Sequence, residues 1–194
     1  MRVATAELES ISPYSQSKAY TKDEFPMLGR ATGTSTESTA DYEKRTWRER
    51  CHYGPDGHVV MPPMAFKNCI SEIAKYLSVQ IPGKGKSTYT KHFEAGVMVL
   101  DGLPLPVTKD TISGEWLFVP GDGRRGGGKR VWKCFPVVRE WKGDVTFHVI
   151  DDVITQAVFE QHLKEAGNFI GIGRFRPRNN GYYGRFKVNK VKWG

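Results

Sequence analysis

The chain has 194 residues, 39% of them hydrophobic, enough for one well-filled domain. A formal charge of +8 and a pI near 9.4 favour an anionic partner, and no apolar run approaches the roughly 18 residues of a bilayer span, so nucleic acid ranks ahead of membrane. The start, MRVATAELESIS, lacks the apolar core of a secretory signal, and three widely spaced cysteines (Cys51, Cys69, Cys134) form no CxxC pair; a cytoplasmic chain with reduced thiols is expected.

Taken in order, residues 3–8 alternate Val3, Thr5 and Glu7 with Ala4, Ala6 and Leu8, a first strand whose buried face is ambiguous. From Ser10 to Thr46 the text is polar and turn-rich, a functional loop or a small insertion. ADYEKRTWRERCHY then mixes Arg45, Arg48 and Arg50 with Trp47 and Tyr53, a short helix or strand offering a second contact surface. His58–Met61 reads as a short strand, and Pro63 as the first residue of a helix in which Phe66, Ile70, Ile73 and Leu77 share one face, with Cys69 near the core. GKGKST, at 83–88, is no phosphate loop: the GxxxxGK[ST] spacing needs glycine where Gln80 stands, and the segment follows a helix instead of a strand. It is expected to be a basic loop from which Lys84, Lys86 and Lys91 can meet a phosphate backbone.

Val97–Leu100 and Glu115–Val119 are short strands, separated by the proline-spaced LPLPV. EWLFV and VWKCFPVV flank GDGRRGGGKR, a hairpin tip in which Arg124, Arg125, Lys129 and Arg130 form a basic arm suited to a nucleic-acid backbone. Val145, Phe147 and Val149 alternate as a half-buried strand. Asp151 or Asp152 is expected to cap the next helix, Phe159, Leu163 and Ala166 to line its core face with Thr155, and Gly167 to stop it. The last segment, NFIGIGRFRPRNNGYYGRFKVNKVKW, carries no acidic residue and interleaves glycines with Arg174, Arg176, Arg178, Arg185 and two tyrosines before a strand in which Phe186 and Val188 face the core. Cations, bare backbone and flat rings together suit a nucleic-acid strand.

Two strand–helix units in a hairpin-rich chain predict an α+β, ferredoxin-like or RRM-like antiparallel sheet with helices on one face and basic loop or hairpin insertions near 10–50 and 79–135, in a single domain over 1–194. FIGIGRFRPRNNGYYGRFKV resembles the C-terminal glycine-rich signature of the RAMP superfamily of CRISPR-associated proteins, and VVMPPMAFKNCISEIAKYL resembles that superfamily's strand, turn and helix. Pro62-Pro63-Met64-Ala65 stands where the family has Pro-Gly-Ser-Ser, removing hydroxyls and a glycine from the turn. The resemblance spans roughly 58–78 and 145–193 and is greatest to the guide-RNA-binding backbone subunits of effector complexes. It implies single-stranded RNA (or ssDNA) as partner, bound by the phosphate backbone with repeated protomers along the strand or within a Cas ribonucleoprotein. On it, Arg174, Arg176, Arg178 and Arg185 pair with phosphates, with Lys67 as a further contact, Asn179 and Asn180 bond sugar or base edges, and Tyr182 or Tyr183 stacks. No cofactor, metal or membrane is expected and no catalysis. The other readings are a decoy that docks onto an effector complex and blocks it, and an endoribonuclease using one of His52, His58, His92 and His148, with His162 on a helix surface and His58 and His52 without an evident partner.

Overall fold

The frame of the fold is its first strand, β1 (Arg2–Ser10), nine residues long with Ala4, Ala6 and Leu8 wholly buried. In the computed structural model, which describes residues 1–19, 21, 23–24, 37–121 and 128–194, β1 lies at the centre of a four-stranded antiparallel sheet. Its neighbours are β8 (Lys142–Val149) on one side and β9 (Phe186–Trp193) on the other, and β4 (Val97–Met98) completes the order β4-β8-β1-β9. Helix α2 (Pro63–Leu77) lies in the connection from β1 to β4, and α4 (Gln156–Glu165) in that from β8 to β9. This βαββαβ path is the ferredoxin-like arrangement predicted.

The two small alanines of β1 let the helices approach the sheet closely. Packed over them are Phe66, Cys69, Ile70, Ile73 and Ala74 of α2 and Phe159 and Leu163 of α4, and beside them in the sheet stand Val145, Phe147 and Val149 of β8. The spacing of α2 and the alternation of β8 thus fall as expected, Pro63 opens its helix, and Cys69 is fully in the core. Buried aliphatic and aromatic side chains of this kind, at about 1.5–3 kcal/mol each, together outweigh any single polar contact in the fold.

Several expectations are corrected. The strand before α2, β3 (His58–Met61), is not in the main sheet: it pairs with β5 (Leu103–Thr108) in a separate two-stranded sheet. β5 is the LPLPV segment, whose buried Leu103 and Leu105 alternate with exposed Pro104 and Pro106; prolines that cannot donate confine it to edge pairing. β2 (Tyr14–Ser15), β6 (Ser113–Pro120) and β7 (Arg130–Val138) make the third sheet, in which the β6–β7 hairpin keeps continuous register from Ser113–Val137 to Pro120–Arg130. Arg124 and Arg125, at its expected tip, lie outside the described residues.

Helix α1 (Thr39–Thr46) and the 3-10 turn Trp47–Arg50 pack on β7. There Arg50 is internal, since its guanidinium sits 2.8 Å from the buried Glu43 carboxylate, whose other oxygen accepts from Cys134 N. An arginine engaged in this way is not a contact surface. The cap of α4 is Thr155, whose Oγ accepts from Val158 N, and not Asp151 or Asp152. Nor does Gly167 stop that helix: the chain continues as a π turn, Ala166–Ile170, and ends at Gly171 (φ 68°). Gly167 is required because a Cβ there would lie 2.0 Å from Phe186 O. His162 is not on the helix surface but fully buried, stacked on Phe93.

Candidate nucleic-acid interface

The face of the main sheet turned away from the helices is a poor ligand surface. Val3, Thr5, Glu7 and Glu9 of β1 stand beside His148, Thr146, Asp144 and Lys142 of β8, and beside Lys192, Lys190 and Lys187 of β9. Glu7 pairs with Lys142 and Glu9 with Lys187 at about 3 Å, and Asn189 donates to both carboxylates. The carboxyls are held below their usual range by the Lys142 contact and by the Asn189 amide, respectively. Among the described residues, this face offers no ring on which a base could stack apart from the imidazole of His148.

The glycine loop folds back along the helical side instead. It is pinned to residues 11–15 by backbone bonds: Arg174 N to Ser15 O, Gly184 N to Pro13 O, and Ile11 N to Arg185 O, at 2.7–2.9 Å. Two glycines make this packing possible. At Gly173 (φ 82°) a Cβ would come 2.4 Å from Ser15 O, and at Gly184 (φ 79°) 1.8 Å from Ile172 O. Only a residue without a side chain fits such a left-handed, close-packed backbone.

The candidate side chains divide accordingly. Arg174 turns inward: its guanidinium lies 3.7 Å from the Phe135 ring centroid and 5.2 Å from that of Tyr183, with Nε donating to Ser15 Oγ at 3.2 Å. Tyr183 is the buried tyrosine of the pair, its hydroxyl donating to Glu115 Oε2 at 2.7 Å; burial, then that bond, push it up to about 12. Tyr182 points outward, 59% exposed. Arg176 and Arg178 both meet Glu72 of α2, at 2.8 and 3.2 Å. Arg185 Nε donates to Asn168 O, while Asn179 and Asn180 lie exposed on and just after the 3-10 turn Pro177–Asn179.

Lys67 is internal to the helical layer. Its ammonium donates to Ser71 Oγ and to the carbonyls of Phe93 and Glu94, tying α2 to α3 (Thr90–Gly96), and burial pulls it below its usual range. Lys84 and Lys86 lie in the turn after α2, closed by Ile81 N to Ser87 O and Lys84 N to Ile81 O. A fifteen-residue helix, about 22 Å long, separates that turn from the start of α2. Arg130 caps Phe118 O and stacks on the Phe118 ring, and with Lys129 it sits at the far end of the hairpin. Trp116, Phe118 and Trp132 are all exposed there, a group of rings that the sequence did not single out.

What the loop does bring together is a groove at the start of α2. About 290 Å³ in volume, it is lined by Gly173 and Arg174 from the loop, Pro62 and Ala65 from the helix start, and Lys18 and His52. Gln16 holds it in shape, donating to Val60 O and accepting from His52 N at 2.9 Å each. One wall is a helix N-terminus, where the dipole favours an anion, although Pro62 and Pro63 supply no backbone N–H. Burial, and then the Lys18 ammonium, hold the His52 imidazole below its usual range. Lys18 itself pairs with Glu24 at 2.7 Å. Neither Lys18 nor Gln16 carried any signal in the sequence, because both reach the groove from the polar stretch after β1.

Of the histidines, His58 does have a partner, Asp56 at 3.1 Å, and His92 Nδ1 lies 2.7 Å from Asp151 Oδ2. Among the described residues there is no cluster of three or more potential metal ligands, and no helix long and apolar enough to cross a membrane.

No family model and no curated protein matches the sequence. Among solved structures the chain is similar to one in the cryo-EM structure of the Type III-B Cmr-beta bound to cognate target RNA, at a TM-score of 0.55 and 8% identity over 99% of this chain and 60% of that one. The crystal structure of Cmr6 from Pyrococcus furiosus matches at 0.45 and 14% identity, covering 97% and 99% of the two chains. A chain of a CRISPR RNA-guided surveillance complex matches at 0.36 and 9%, covering 98% and 68%. The chain spans 60% of the length of that Cmr-beta chain and shares its fold, which here is the α+β, ferredoxin-like arrangement described above.

Proposed function

We propose that the protein binds single-stranded nucleic acid, RNA by preference, along the helical side of the fold, as a RAMP-type subunit of a CRISPR ribonucleoprotein. The observation that carries this reading is the groove in which Lys18, His52 and the bare backbone at Gly173 converge on the start of α2. It suits a phosphodiester: the Lys18 ammonium and a helix N-terminus for the charge, and glycine for close approach. The RNA preference is supported by the fold's likeness to a chain of a complex bound to target RNA, and assembly of copies along one strand by the sequence resemblance to backbone subunits. Binding, not catalysis, is the role inferred, since among the described residues His52 is the one histidine that lines the groove.

Fluorescence anisotropy with a labelled oligoribonucleotide tests this. Lys18→Ala should weaken binding and reduce the slope of log K against log salt by about 0.7 for each phosphate that the variant no longer neutralises. Wild-type affinity and slope in that variant would remove the groove from the function. Incubating the same oligonucleotide with protein should leave it intact, and size-exclusion mass before and after nuclease reports whether copies assemble on RNA.

A further inference from the structure

Beyond the groove, the glycine loop runs down α2 to a second cluster. Tyr76 and Phe169 stack there with centroids 6.0 Å apart and planes 26° apart, yet they are 53% and 49% exposed. The Arg178 guanidinium lies beside this pair, 5.7 Å from the Tyr76 centroid. A cavity of about 570 Å³ opens next to them, lined by Glu72, Lys75, Tyr76, Glu94, Arg176 and Arg178. Two guanidiniums share the single Glu72 carboxylate, and all three groups are partly open to solvent.

We propose that this cluster is a nucleotide subsite in which a backbone phosphate displaces Glu72 from Arg176 and Arg178 while the attached base stacks on the exposed Tyr76–Phe169 pair. The proposal rests on the nucleic-acid reading of the groove and adds a gate to it. Ion pairs partly open to solvent contribute little, so Glu72 is a replaceable partner. Phosphate accepts from arginine in the same forked geometry as a carboxylate. With the loop empty, Glu72 holds both arginines along α2, ready for a ligand; with the loop filled, its charge opposes the phosphate. Glu72 therefore lowers affinity while keeping the loop ordered. The rings serve no core: about half of each is in water, and the guanidinium beside Tyr76 can also flank a base.

The experiment measures binding of a labelled oligoribonucleotide, and of an abasic oligomer with the same number of phosphates, to the full chain. Glu72→Gln is expected to tighten binding of both, by about threefold or more at low salt, and to steepen the salt slope by up to about 0.7. Tyr76→Ala with Phe169→Ala is expected to weaken the base-bearing oligomer about tenfold and to leave the abasic one unchanged, as removal of one stacking platform requires. Weaker or unchanged binding by both Glu72→Gln and Glu72→Ala, in variants that melt like the wild type, overturns the gate. Equal weakening on the two oligomers, or none, overturns the stacking site. If Lys18→Ala weakens binding while these variants do nothing, the subsite alone is wrong; if the wild type binds neither oligomer, the functional reading itself has failed.

Discussion

His162 is buried against Phe93, with ring centroids 4.4 Å apart, and its Nδ1–H donates to Val158 O at 2.7 Å. Nε2 has no hydrogen-bond partner among the described residues, and burial holds the imidazole below its ordinary range. The unfolded chain, with histidine near its usual value of about 6.5, therefore takes up the proton first as pH falls. Stability from the neutral ring is complete above about pH 6.5 and is lost as pH drops below it. Thermal melts between about pH 7.5 and pH 5 should show a falling Tm, and His162→Phe, which keeps the stack, should flatten that limb. His52 has the same direction of shift with a different readout. Its imidazolium, formed only below the usual range, would attract phosphate, so affinity for RNA should rise as the pH falls below about 6.5 and stay level in His52→Gln.

At the scale of the element, the glycine loop is held by contacts that tolerate no Cβ. Gly184→Ala would combine a positive φ with an atom 1.8 Å from Ile172 O, and should destabilise by about 2 kcal/mol or more, lowering Tm by roughly 4–8 °C. A variant that melted at the wild-type temperature would show that the loop is not packed as described. How legible such elements are depends on the range of the signal. The apolar stripe of α2, the alternation of β8 and the glycine loop are local periodicities, and each is readable from the residues alone. β1 is harder because Ala4 and Ala6 look weakly hydrophobic against Val3 and Thr5, although only small side chains fit beneath the helices. β5 is hidden by its prolines. The candidate site is half legible for the same reason: composition marks the loop's cations, but not that Arg174 would be stacked on Phe135, or that Glu72, far away in sequence, would meet Arg176 and Arg178.

For the molecule as a whole, net charge is a weak guide to where a polyanion lies. Lysines are plentiful on the open face of the main sheet, yet there they are interleaved with Glu7, Glu9 and Asp144, with the His148 imidazole the one ring among the described residues to support a base. Replacing Lys190 and Lys192 together by alanine should change RNA affinity by less than about twofold once salt is near 150 mM, where charges beyond about 8 Å are screened. An effect as large as that of Lys18→Ala would move the binding surface to the sheet. The fold thus presents its candidate surface on the helical side, and not on the sheet face that an RRM-like comparison would suggest.

The eight-residue β9 stands at the end of the main sheet, its outer edge beyond the reach of β1. An edge of that length, unpaired among the described residues, is a template on which another strand can grow, and proteins guard such edges with lysine. Lys187, Lys190 and Lys192 supply that guard: an antiparallel second copy docked there would set ammonium groups against one another. Copies arranged along an RNA strand would accordingly meet through other surfaces, and the same lysines would keep the chain from seeding fibrillar aggregates when no RNA is present.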